Sequence, residues 1–241
     1  MGAPMENGLT IPSRTAFLRV QMGDFWSGDL GLTLVTVSLA LLVFVITPLR
    51  EAGVSGRAVL DLIIVALMLF GVLAVKEGRL ATIVAVTLIS ITAAVLILAR
   101  LYPNPLLHQA GSVLATITLL LYVPIVLVVM FHAGPVTWSR IQGGVCAYLL
   151  LGMAWASAFQ FVEQLRPGSF HFVTAPTDLD QLTSKLTYYS FCTLTTVGGD
   201  VAPLSPIARA RAVAEATMGQ LFPAILIGAL VAMAMQSRPK A

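Results

Sequence analysis

Long apolar runs separated by short polar links dominate this chain. Six of them approach the roughly 20 residues that a helix needs to cross the hydrocarbon core of a membrane. They are residues 30–49, 59–75, 80–101, 113–131, 145–162 and 212–235. The first five are joined by links such as "PLREAGVSGR" and "KEGR", which are too short to hold a soluble domain. The pattern predicts an all-α membrane protein with six transmembrane helices.

One connection differs from the others. Between the fifth and sixth runs, residues 179–194 ("LDQLTSKLTYYSFCTL") predict a helix of about four turns, too short and too polar to span. Thr177 and Asp178 are available to cap its start. The irregular stretch "TTVGGDVAP" follows, and such backbone is tolerated at membrane depth only where it lines a cavity or pore. We therefore expect a re-entrant pore helix and loop between helices 5 and 6.

Composition agrees with a membrane location. Of the 241 residues, 58% are hydrophobic and only 10% are charged, whereas about a quarter are charged in soluble domains. The formal net charge is +3, but the basic residues are scattered singly, so no nucleic-acid partner is expected. The first 28 residues are polar and mixed. They are expected either to lie along the membrane interface, with Trp26 at headgroup depth, or to form a solvated tail.

Other function classes fit the pattern poorly. His108, His132 and His171 fall in separate links without metal-ligand spacing, and ionisable residues are nearly absent from the spans, so no enzyme is expected. A secondary transporter usually has two related halves, each with an interrupted helix. Only one interruption is present here. A non-conducting partner subunit of another channel remains an alternative.

The interrupted region resembles a known family. The stretch "YYSFCTLTTVGGDVAPLSPIARA" resembles the pore helix and selectivity filter of tetrameric potassium channels, whose usual pattern is T-x-x-T-V-G-Y-G-D. The following "EATMGQLFPAILIGALVAM" is similar to the inner helix of the bacterial two-helix pore module. Together they cover roughly residues 180–235. The resemblance implies a homotetramer in the lipid membrane that conducts monovalent cations without a cofactor.

The resemblance also implies a site and a domain division. Thr196, Val197, Gly198 and Gly199 would bind permeant K⁺, or Na⁺, because rings of backbone carbonyls replace the water shell of the ion. Asp200, Thr195 and Glu215 would form the mouth and support of this filter. The domains would be a cytoplasmic or interfacial segment (1–28), a four-helix transmembrane domain (29–132) and the pore domain (133–241).

The filter departs from the family pattern, since it is T-V-G-G-D and not T-V-G-Y-G-D. Either the aromatic residue is deleted, or Gly199 takes the aromatic position and Asp200 that of the second glycine. In both alignments the ring that would wedge the filter against the pore helices is missing. We expect a potassium-channel-like cation channel. The alternatives are a channel that discriminates weakly between Na⁺ and K⁺ and a filter that does not conduct.

Gating residues are less well defined. The fourth span contains no arginine or lysine, and Arg57 and Asp61 are spaced as a local pair, so the four-helix domain lacks the gating charges of a voltage sensor. In the last span, Gly219, Pro223 and Gly228 are candidates for an inner-helix hinge or gate, or for a fixed kink.

Two further assignments concern charge. Glu215 lies about one turn from Arg211, so the two would form an ion pair, or Glu215 would tune the opening of the filter. Seven basic residues fall on each side of the predicted spans, so charge does not orient the chain. The pore loop instead predicts a multi-pass protein of the cell membrane, with both termini in the cytoplasm.

Overall fold

The computed structural model describes residues 29–51, 79–102, 104–131 and 137–236. The elements are helices α1 (Asp29–Leu41), α2 (Thr47–Glu51), α3 (Arg79–Leu101), α4 (Pro105–Phe131), α5 (Trp138–Leu165), α6 (Leu179–Leu194) and α7 (Pro206–Gln236), a π-helical turn (Leu42–Ile46) between α1 and α2, and strands β1 (Phe170–Phe172) and β2 (Val201–Pro203). The fold is predominantly helical, as the apolar pattern predicts.

Helices occupy the predicted spans that fall within the described residues. Four stretches are long and apolar enough to cross a membrane: Leu32–Leu49, Pro105–Val128, Arg140–Leu165 and Pro206–Met235. A shorter apolar stretch, Val86–Ala99, lies within α3. The prediction of an all-α membrane protein is therefore confirmed, and the count of six transmembrane helices stays a prediction. The predicted span 59–75, the N-terminal segment 1–28 and the Arg57–Asp61 pair lie outside the described residues.

The first span is continuous but contains a wide turn. The Thr47 hydroxyl and amide both bond to the carbonyl oxygen of Leu42, five residues earlier. Pro48 follows directly and has no amide hydrogen to continue the regular pattern. Below this turn, α1 packs against α5, and beyond it α2 contacts α6. The first span therefore touches both the central helix and the short helix.

Helix α5 forms the centre of the described structure, since it contacts α1, α4, α6 and α7. Its apolar window is 61% buried within the chain, against 6% for α7. One hydrophobic cluster joins α5 to α1 and includes Leu32, Leu39, Cys146 and Leu150. α5 is thus packed mainly by its own chain, whereas most of the α7 surface is left uncovered.

A second hydrophobic cluster fixes both flanks of α6. The Phe159 ring lies 5.1 Å from the Tyr189 ring and 5.5 Å from the Phe170 ring, in edge-to-face arrangements. Such aromatic pairs stabilise by roughly 0.5–1.5 kcal/mol beyond the area they bury. β1 and β2 pair antiparallel, with Phe170 opposite Pro203. The residues before α6 and those after Asp200 are therefore tied together.

Candidate functional site

Helix α6 begins and ends where the sequence predicts. The Asp178 carboxylate accepts a hydrogen bond from the Gln181 amide at 2.8 Å, so Asp178 is the N-cap. The Thr177 amide donates in turn to the Gln181 side chain at 3.0 Å. Half of the 16 residues of this helix are buried. A short helix is therefore buried between the two long helices α5 and α7.

The end of α6 folds back on itself in a Schellman motif. The Val197 amide donates to the Cys192 carbonyl at 2.9 Å, and the Thr196 amide donates to the Thr193 carbonyl at 3.0 Å. This motif places Thr196 in the left-handed region, with φ of +58°. Glycine usually occupies that position, because a left-handed residue with a Cβ costs about 1–2 kcal/mol. The chain carries a β-branched threonine there instead.

The loop that begins within this motif, residues 195–200, is exposed along its whole length on the single chain. We call it the TVGGD loop. Val197 is 79% exposed. Gly198 has φ of +81°, which side chains rarely adopt. Asp200, at the C-terminal end of the loop, leads directly into β2.

The N-terminal end of the loop is held by a close approach of two backbones. A Cβ atom built on Gly219 of α7 would lie 1.9 Å from the Leu194 carbonyl oxygen at the end of α6. No larger residue fits at that separation. The same oxygen accepts a 3.4 Å hydrogen bond from the Tyr148 hydroxyl of α5. Three helices thus meet at Leu194.

The residue after Gly219 reaches the loop itself. The Gln220 side-chain amide donates to the Thr196 hydroxyl at 3.0 Å. A polar residue inside an apolar helix, as Gln220 is, indicates such a contact in the sequence itself. Gly219 lies within the unbroken helix α7, as do Pro223 and Gly228, and the hinge assignment of all three stays a prediction.

A buried polar chain lies behind the loop. Ser190 Oγ is 2.7 Å from the Gly152 carbonyl oxygen and 2.5 Å from Glu215 Oε1, and Ser190 and Glu215 are both fully buried. A serine has one hydroxyl hydrogen, so both bonds form in full only if Ser190 donates to the Gly152 carbonyl and a protonated Glu215 carboxyl group donates to Ser190 Oγ. Arg211 bonds instead to the Ala158 carbonyl. The structure thus gives Glu215 and Arg211 different partners.

An aromatic ring fills the space beside Gly199. A Cβ atom built on Gly199 would lie 3.1 Å from Tyr188 Cε1 and 3.6 Å from Cys192 Sγ, both on α6. The side-chain direction at position 199 therefore points to the short helix. Tyr188 lies where a bulky residue at 199 would otherwise pack. Nothing in the sequence pattern alone predicts this contact.

The region around this loop also matches a known protein family. Residues 147–236, from within α5 to the end of α7, match the model of a family described as "Ion channel". The match supports an ion channel, not an enzyme. No curated protein and no solved structure matches the chain. In the described part of the chain, no group of three or more His, Cys, Asp and Glu side chains is arranged to hold a metal.

The predicted site residues fall into four places. Thr195 to Asp200 form the TVGGD loop, Glu215 lies behind α6, and Gly219 lies below the loop. Pro223 and Gly228 lie further along α7, away from the loop in sequence. Sequence reasoning missed Tyr148, Tyr188, Ser190 and Gln220, all of which contact this region.

Gly219→Ala tests the close approach at Leu194. We expect it to destabilise the protein by about 3 kcal/mol, because the added methyl group forces α7 away from α6. Thermal unfolding of the purified protein in detergent measures the effect. The matched control is Gly228→Ala, where a Cβ meets nothing within 4 Å, so the change should stabilise α7 by roughly 0.5–1 kcal/mol. Equal melting temperatures for the two variants would contradict the tight packing.

Ser190→Ala tests the buried polar chain. It leaves the Gly152 carbonyl and Glu215 Oε1 without this partner, and we expect a loss of about 1–3 kcal/mol in the same unfolding measurement. Glu215→Gln supplies an N–H donor in the place of the carboxyl hydrogen, so it should change stability by less than about 1 kcal/mol. Ser157→Ala is the control, since that hydroxyl bonds to the Met153 carbonyl of its own helix. A Glu215→Gln loss as large as that of Ser190→Ala would argue for an ionised carboxylate.

Proposed function

We propose that the protein is a homotetrameric, potassium-channel-like cation channel in which the TVGGD loop forms the selectivity filter. The observation that carries the proposal is a buried short helix, between two membrane-length helices, that ends in this exposed loop. The matched ion-channel region contains residues 147–165 of α5 and the whole of α6 and α7. K⁺ is the proposed main permeant ion, and it passes without a cofactor.

The exposure of the loop supports assembly around an axis. One chain supplies a single wall of a pore, so a ring of copies is needed to surround an ion. α7 leaves an apolar surface uncovered: Val213, Met218, Leu221, Ile225, Ile227, Val231 and Met235 are all exposed on the single chain. In a tetramer, neighbouring copies and lipid would cover these residues. The proposed location is the cell membrane, with both termini in the cytoplasm.

The chemistry of the loop suits a monovalent cation. Backbone carbonyls provide ligands without a fixed charge, and the glycines permit the backbone angles that such a lining needs. The end of a helix also carries a partial negative charge, which favours a nearby cation. In the proposed pore, α6 ends at Leu194 and therefore places this charge beside the inner end of the filter.

The geometry at Gly199 favours one of the two alignments. In the family pattern the aromatic residue of the filter wedges against the pore helices. The side-chain direction at Gly199 points to α6, where Tyr188 occupies the space. We therefore infer that Gly199 takes the aromatic position, Asp200 takes that of the second glycine, and Tyr188 supplies the wedge from the pore helix.

The reversal potential of the purified protein in planar bilayers, with K⁺ on one side and Na⁺ on the other, tests the function. We expect reversal near the K⁺ equilibrium potential. Reversal near zero would indicate a weakly selective Na⁺/K⁺ channel, and no current from intact tetramers would indicate a non-conducting channel-like subunit. Protein-free membranes and symmetrical K⁺ solutions serve as controls.

Exchanging the two residues tests the wedge. We expect Gly199→Tyr to prevent stable tetramers, because even its Cβ atom would lie 3.1 Å from Tyr188 Cε1 and leave no room for the ring. Gly199→Tyr with Tyr188→Gly should restore them. Tyr188→Ala alone should reduce the preference for K⁺ over Na⁺ severalfold, while Tyr188→Phe keeps it, since the ring is the wedge. Tetramer yield and the reversal potential are the measurements. Failure of the double variant to recover tetramers would contradict the inference that Tyr188 supplies the wedge in place of residue 199.

A further inference from the structure

The Thr196 hydroxyl has a defined set of hydrogen bonds. Its oxygen lies 2.7 Å from the Thr195 carbonyl, which only accepts, so the hydroxyl hydrogen is committed there. The Gln220 amide, 3.0 Å away on the other side, must therefore donate. The Gln220 side chain therefore turns its Nε2 atom, and not its Oε1 atom, toward the Thr196 hydroxyl. The hydroxyl keeps one further lone pair.

The backbone at Thr196 makes these contacts significant. A threonine with φ of +58° is strained, and strain of this kind persists only where the surroundings hold the residue in place. The Thr193 carbonyl holds the Thr196 amide, and Gln220 holds the side chain. Glycine would satisfy the backbone at less cost. What threonine adds over glycine is its hydroxyl oxygen, next to the TVGGD loop.

The position of Gln220 is itself fixed. It follows Gly219, whose backbone lies against the Leu194 carbonyl, so α7 cannot shift away from the loop without breaking that contact. Gln220 is therefore presented to Thr196 by backbone packing. A side chain at the same place on a loosely packed helix would sample several rotamers and hold the hydroxyl poorly.

We propose that Gln220 is a positioning residue for ion selectivity, which holds the Thr196 hydroxyl as a cation ligand at the inner end of the filter. This rests on the proposed channel function. With its hydrogen engaged by Thr195 and one lone pair by Gln220, the hydroxyl presents its remaining lone pair in a fixed direction. Four such hydroxyls form a ring of set size. Without Gln220 the hydroxyls turn more freely, and a smaller ion such as Na⁺ can draw them inward.

The test uses the full-length tetramer in detergent and titrates KCl or NaCl into a background of a large organic cation. The quantity measured is the ratio of the Na⁺ and K⁺ concentrations that give half-maximal thermal stabilisation. We expect Gln220→Leu to lower this preference for K⁺ by roughly three- to tenfold, the factor of one hydrogen bond. Gln142→Leu is the matched control, because Gln142 bonds to Thr33 and not to the loop.

A second variant separates positioning from general support. Thr196→Val removes the hydroxyl and keeps the shape, so adding Gln220→Leu to it should change the ion ratio no further. Thr196→Gly relieves the backbone strain and should raise the melting temperature without ions while it weakens the preference for K⁺. The role of Gln220 is overturned if Gln220→Leu leaves the Na⁺/K⁺ concentration ratio unchanged. It is also overturned if Gln220→Leu changes that ratio as much in the Thr196→Val background as in the wild type. Neither result contradicts the channel proposal. A wild-type protein that responds to neither ion overturns this role and the channel proposal together.

Discussion

The contact on which the site depends is the approach of two backbones, Gly219 of α7 and Leu194 of α6. A side chain at 219 would require the helices to separate, since its first carbon would overlap the Leu194 carbonyl oxygen. Because α7 lies so close, Gln220 reaches Thr196, and Tyr148 of α5 reaches the same Leu194 oxygen. The end of the short helix is thus fixed from two sides, and the loop starts from a rigid point.

About one turn before its end, α6 is held by contacts of a different chemistry. Around Ser190 the contacts are polar and fully buried, and a carbonyl of α5, a hydroxyl of α6 and a carboxyl of α7 form one chain of hydrogen bonds. Directional bonds specify the rotation of α6 between its neighbours, which apolar packing in a membrane specifies only weakly. The aromatic cluster of Phe159, Phe170 and Tyr189 packs nearer the start of α6. The backbone contact with Gly219 holds the end of α6, and the serine–carboxyl chain links its middle to α5 and α7.

The sequence predicts the local elements well and the contacts between them poorly. The bounds of α6 follow from a capping aspartate at one end and a break in the apolar pattern at the other, and both signals are local. The predicted apolar span begins at residue 212, whereas helix α7 begins at Pro206, because Arg209 and Arg211 interrupt the apolar run without ending the helix. The contacts Gln220–Thr196 and Ser190–Glu215 join residues 24 and 25 positions apart. A hydrophobic pattern cannot predict such pairs, since it does not state which helix faces meet.

The TVGGD loop combines two residue types for two physical reasons. At Gly198 the backbone angle is positive and the residue is glycine, so the conformation costs little. At Thr196 the angle is also positive, but the chain keeps a β-branched side chain whose oxygen bonds to Gln220. If only backbone oxygens were needed, glycine would serve at both positions and the fold would be more stable. The strained threonine is therefore best explained by a use for its hydroxyl, and in the proposed pore that use is to bind an ion.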